Sequence, residues 1–167
     1  MEYELKNGVY VPKAIVFEDE LAQKPEWCAR YARLVSLDIL IGSSHDEGYE
    51  IWEPSHAWNF GYENRSVWKI REGKQFNASK LKEGQILGIR IPYSGNLNNR
   101  DDRRNFAQYT HMATYIGDFI FNGSVGAWIM HNLYGDILAE SLRAFLKRTG
   151  STVMEIFSPR DESVLRE

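Results

Sequence analysis

One cysteine and four histidines carry most of the reactive chemistry available to this chain of 167 residues. Cys28 stands in "KPEWCARYARLVS", behind Pro25, Glu26 and Trp27, where an apolar pattern of helical period begins. A thiol at a helix N-terminus meets the positive end of the macrodipole, which favours the thiolate. A lone cysteine is also a common small core residue. To act as a nucleophile it needs a base, and the base needs a partner that fixes its tautomer. His111 opens "HMATYIGD" and His131 closes "AWIMHN". Read as strands, these segments put His111, Ala113 and Tyr115 on one face and Met112, Thr114 and Ile116 on the other, with His131 on a strand alongside. A cysteine on a helix and two polar residues on neighbouring strands suit acyl transfer. A helix N-terminus and a nearby imidazolium would both favour the thiolate. His45 and His56 fall in polar or turn-like segments and read as surface positions. With no H-E-x-x-H or comparable ligand pair, no metal site and no cofactor are expected.

These residues need elements to hold them. "GVYVP" and "KAIVFE" read as short strands or as an extended N-terminal arm over residues 1–24. Pro25 suits the first turn of a helix. Cys28, Tyr31, Ala32 and Val35 then recur at i, i+3, i+4 and i+7, with Arg30 and Arg33 off that stripe. The helix should run to about Leu40 and stop near Gly42. "GSSHDEG" reads as a loop. "EPSHAWNFGYENRSVWKI" reads as a shorter helix and turn, with Ser55 as its N-cap. The second half changes period. "GQILGIRIPY" alternates as a strand, "THMATYIGD" is a strand ending in a Gly-Asp turn, and "AWIMHN" is a third. "GDILAESLRAFLKRTG" reads as one amphipathic helix, with Leu138, Leu142, Phe145 and Leu146 on its apolar face and Gly150 as its stop. "STVMEIFSP" closes the chain as a strand. "SGNLNNRDDRRNF" reads as a solvated loop or a substrate-gating one. The expectation is a single α+β domain over residues 1–167, N-terminal helices packed on an antiparallel sheet.

Composition narrows the function classes. An apolar fraction of 43% is that of a globular chain. A net charge of -3 argues against nucleic acid as a partner. No apolar run approaches membrane-spanning length, and the N-terminus shows no basic region followed by an apolar one. Synthesis in the cytoplasm without a signal peptide is therefore expected, with no membrane partner. Aromatic residues make up 13% of the chain and include five tryptophans. Trp27, Tyr31 and Trp58 either line a cleft around Cys28 or pack the core.

Together the segments "EWCARYARLVS", "SHAWNFG", "EGQILGIRIP", "THMATYIGD" and "IMHN" resemble, in that order, the NlpC/P60 and CHAP group of papain-like cysteine peptidases and amidases. The resemblance covers about residues 25 to 135, and "THMATYIGD" is its most specific piece. It implies a papain-like fold with Cys28 as nucleophile, His111 as base and His131 as the orienting third residue, Asn132 being the alternative. Trp27, Ala29 and Arg30 replace the family's usual Asp-Cys-Ser-Gly surroundings, which points to a divergent or CHAP-like branch. The order of cysteine before histidine argues against the permuted, lipid-acyl branch.

The implied activity is hydrolysis of an amide in the stem or cross-bridge peptides of peptidoglycan, through a thioester acyl-enzyme. The protein would act on the cell wall after release or injection, as a phage lysin or an effector. A holin or a secretion system would deliver it. Two alternatives use the same residues: a non-catalytic cell-wall-binding or phage structural module, and a cysteine acyltransferase or deamidase acting on protein. Glycan cleavage would need two carboxylates flanking the bond. Asp46, Glu47 and Glu50 of "HDEGYE" lie in a loop with no sign of such pairing.

Overall fold

Central strands buried on both faces build the sheet, and a helix packs on each face. The computed structural model describes residues 1–25, 27–42, 61–69, 80–91, 111–121, 123–151 and 153–161. In chain order the elements are β1 (Tyr3–Lys6), β2 (Val9–Pro12), a single 3-10 turn (Leu21–Gln23), α1 (Cys28–Ile41), β3 (Tyr62–Lys69), β4 (Ile86–Arg90), β5 (His111–Phe121), β6 (Ser124–Leu133), β7 (Asp136–Ser141), α2 (Leu142–Thr149) and β8 (Val153–Pro159). β1 and β2 form a hairpin of their own. The other strands form one sheet in the order β3-β8-β4-β5-β6-β7, and each described pairing is antiparallel. The architecture is α+β. No described helix is long and apolar enough to cross a membrane.

The pleat sorts each strand's side chains between the two helices. Ile86, Met112 and Phe157 pack with Ala29, Ala32 and Leu37 of α1. Trp128 and Met130 join Tyr31, Leu34 and Val35 of the same helix. On the opposite face, Leu87, Ile89, Ala113, Tyr115, Ile129 and Ile156 pack with Leu142, Phe145 and Leu146 of α2. α1 is buried on more than one side, because the N-terminal segment lies along it. The Tyr31 hydroxyl donates to the Ile15 carbonyl at 2.7 Å. Arg30, expected off the apolar stripe, is buried and ion-paired with Asp19.

Several sequence expectations need correction. Residues 1–24 are not a simple extended arm. Asn7 and Gly8, both at positive φ, turn β1 into β2, as a two-residue hairpin loop requires. "KAIVFE" forms no strand; its backbone is held by Tyr31 and by the Met130 sulfur instead. α1 begins at Cys28, not Pro25, which sits in the preceding turn; Gly42 ends it in the left-handed conformation as anticipated. Residues 62–69, expected within a helix and turn, form strand β3 against β8. β5 does not end at Gly117-Asp118. Gly117 marks a bulge with φ of 119°, and the strand continues to Phe121. Residues 136–141 are not helical: "DILAES" is strand β7, and α2 starts only after Ser141, whose hydroxyl accepts the Ala144 N–H. His45, His56, Ser55, Trp58, the "GSSHDEG" and "SGNLNNRDDRRNF" loops and the "HDEGYE" carboxylates lie outside the described residues.

Candidate functional site

Sheet register brings the two strand histidines together. His131 on β6 lies directly opposite Ala113 on β5, so His111, two residues earlier on the same face, is its diagonal neighbour. The small Ala113 side chain leaves room for both rings. His111 Nε2 and His131 Nδ1 are 2.7 Å apart. The rings meet edge to face at 4.9 Å, and both stand against Phe145 of α2, at 5.5 Å and 4.8 Å. His111 is 3% exposed and His131 is fully buried.

A second diagonal step extends the chain of contacts. Glu140 on β7 lies opposite Ile129, two residues from His131 on the same face. Its Oε2 is 2.7 Å from His131 Nε2. Arg148, in the last turn of α2, donates to both Glu140 oxygens, at 2.8 Å and 3.1 Å. Neither Glu140 nor Arg148 was anticipated from the sequence. The signal for Glu140 is the alternation of "DILAES", legible once that segment is taken as a strand. Burial works to raise the Glu140 carboxyl, but the hydrogen bonds from His131 and Arg148 outweigh it and hold the group down at about 2.

Cys28 reaches β5 from the other side. It packs with the α1-face cluster that contains Met112. Burial pushes the thiol up, and the nearby backbone N–H groups of Met112, Ala29 and Cys28 itself offset this only in part. Cys28 and His111 therefore approach the same end of β5 from its two faces. Among the described residues no hydrogen bond joins the sulfur to the His111 ring. Burial, with His131 adding to it, pushes His111 down to about 3. The thiolate–imidazolium pair expected at a helix N-terminus is not the resting state. Both groups are neutral at pH 7, because desolvation penalises either charge more than the local dipoles repay.

The remaining candidates divide. Trp27 is the half-buried N-cap residue of α1, directly before Cys28. Tyr31 does not line an opening: it is fully buried, edge-on to Phe17. A different aromatic residue lies within electrostatic reach of Cys28. Tyr134, 59% exposed, occupies the β6–β7 turn at a φ of 53°. Burial and then the charge of a Cys28 thiolate raise its phenol. Asn132 faces away from the histidines. Its amide donates to the Ala22 and Lys24 carbonyls and its oxygen accepts the Gly135 N–H, so it fastens the turn before α1 to the β6–β7 turn. His131, not Asn132, is the neighbour of His111.

Two expected outcomes follow from these charge states. Alkylation of Cys28 in the ligand-free protein should follow a pKa above that of an ordinary thiol. Iodoacetamide rates across pH will show this, and a rate already maximal near neutrality would contradict it. The second outcome concerns His111 and acid. Unfolded His111 takes a proton near its ordinary value of 6.5, folded His111 only near 3. Between those values the unfolded chain binds more protons, so stability falls as pH falls. The loss from this group should reach about 2 kcal/mol on going from pH 7 to pH 5. Urea midpoints at both pH values, for wild type and His111→Gln, measure it. Equal losses in the two proteins would assign the effect elsewhere.

No known protein family, no curated protein and no solved structure matches this chain.

Proposed function

We propose that the protein is a cysteine hydrolase of the papain-like, NlpC/P60 or CHAP type, cutting an amide in the stem or cross-bridge peptides of peptidoglycan. The observation that carries the reading is the 2.7 Å contact between His111 and His131 at the start of β5, the strand whose Met112 shares an apolar cluster with Cys28. Met112 and His111 are neighbours in sequence, but their side chains lie on opposite faces of the sheet, so catalysis requires the His111 ring and the Cys28 thiol to meet around the end of β5. Since thiol and imidazole rest neutral, proton transfer from Cys28 to His111 accompanies attack on the substrate carbonyl, as general-base catalysis. The sulfur–carbon bond forms as the carbonyl oxygen gains charge. The Cys28 N–H, at the first turn of α1 and unused by the helix, is placed to receive that charge. His111 then gives the proton to the leaving amine, and water hydrolyses the thioester.

Mass spectrometry of digested cell-wall sacculi tests the reading. New amines and free carboxyls on intact disaccharides support it, and new reducing sugar ends overturn it. A second reading is a papain-like module that binds the cell wall without cutting it. The buried neutral thiol and the lack of a Cys28–His111 hydrogen bond favour it. Sacculi retained by the protein with no product released would select it. Modification of protein side chains uses the same residues and predicts no release from sacculi and no retention.

A further inference from the structure

We infer that Glu140 is a positioning residue that fixes the tautomers of both histidines, so that Nδ1 of His111 is the one imidazole nitrogen of the pair left with a free lone pair. The inference rests on geometry, and its kinetic test rests on the hydrolase reading. Glu140 lies on β7 and Arg148 on α2, outside the cysteine and two histidines that the family resemblance supplies.

The direction of the hydrogen bonds follows from what each group can do. Arg148 only donates, and its two-pronged contact leaves Glu140 an acceptor. The proton in the Glu140–His131 contact therefore sits on His131 Nε2. With one proton on that ring, His131 Nδ1 is bare and accepts. The proton in the 2.7 Å contact between the rings then belongs to His111 Nε2. His111 is left with an unprotonated Nδ1, which makes no hydrogen bond among the described residues. Burial protects the His111–His131 link from water, while the Arg148–Glu140 end of the chain reaches solvent. His131 is fully buried, and Phe145 closes the side of both rings. A second proton on His131 would reverse the chain. Nδ1 of His131 would donate, His111 Nε2 would accept, and the proton of His111 would move to Nδ1, leaving no free lone pair on that ring.

Long-range proton–nitrogen NMR correlation of the wild-type protein at pH 7 reads the tautomers directly. The expected pattern is protonated Nε2 and bare Nδ1 on both rings. A proton on Nδ1 of His111 would overturn the inference, whatever the variants do. In Glu140→Gln, which can present either an oxygen or an N–H to His131, the single tautomer should be lost. Amide hydrolysis should then fall at least about tenfold in kcat, with KM little changed. Glu140→Asp, which keeps the charge, should recover part of both. A Glu140→Gln protein with wild-type tautomers and wild-type kcat would also overturn it. If the tautomers respond as expected but the wild-type protein cuts no amide, the positioning role of Glu140 stands and the hydrolase reading falls.

Discussion

Phe145→Ala should cost about 3–5 kcal/mol of stability, the range for emptying a fully buried aromatic site. Phe145 is 0% exposed and central to the cluster between α2 and the sheet. Its ring does more than fill volume. It supports the His111 and His131 rings, and the Arg148 guanidinium lies 5.6 Å from its centre. Truncation would leave a cavity bordered by two imidazoles, and water entering it could hydrogen-bond either ring. Phe145→Leu, closer in volume, should cost clearly less and keep the imidazoles in place. Chemical denaturation of the three proteins measures the effect. A Phe145→Ala loss below 1 kcal/mol would mean that α2 does not cover this face of the sheet in solution.

Cys28→Ala should abolish amide hydrolysis, a loss of at least roughly 10⁴-fold, because the covalent step has no other nucleophile. Its effect on stability should be small: the site is at the helix start and only partly exposed, and alanine removes a single heavy atom. His131→Ala should keep measurable activity, since an orienting group contributes less than the atom that forms the bond. Asn132→Ala should act through stability, because it unfastens the segment before α1. Rates on purified stem peptides, beside denaturation midpoints, separate these outcomes. Full activity in Cys28→Ala would end the cysteine mechanism.

How much of this was readable in the sequence depends on which physical signal each segment carries. β4 was read from the alternation of "GQILGIRIPY", β5, β6 and β8 from short apolar runs beside turn residues, and the ends of α1 and α2 from Gly42 and Gly150. The meeting of His111 with His131 was visible as two polar positions on adjacent strands. Other segments carried a misleading local pattern. Leu138 falls four residues before Leu142, so "DILAES" joined the α2 stripe and looked helical. The turn residues Tyr134 and Gly135 and the Ser141 cap were the competing signals. That error hid Glu140, since a helical reading cannot place it beside His131. β1 alternates Tyr3 and Leu5 with Glu4 and Lys6, but it is only four residues long and exposed throughout. Tyr31 illustrates the opposite ambiguity: helical spacing from Cys28 is equally the spacing of a core stripe, and here the core wins. The charge state of Cys28 was not accessible at all. A helix N-terminus favours thiolate, but the sequence does not say how deeply that terminus is buried.

Acid-quenched intact-mass analysis during turnover of a stem peptide most directly tests whether Cys28 carries the chemistry. The expected result is a transient acyl adduct that maps to the Cys28 peptide and is released by hydroxylamine as a thioester. It should be absent in Cys28→Ala and should form more slowly in His111→Ala. Amide cleavage proceeding at the wild-type rate in Cys28→Ala, with no adduct on the wild-type protein, would contradict a nucleophilic role for Cys28.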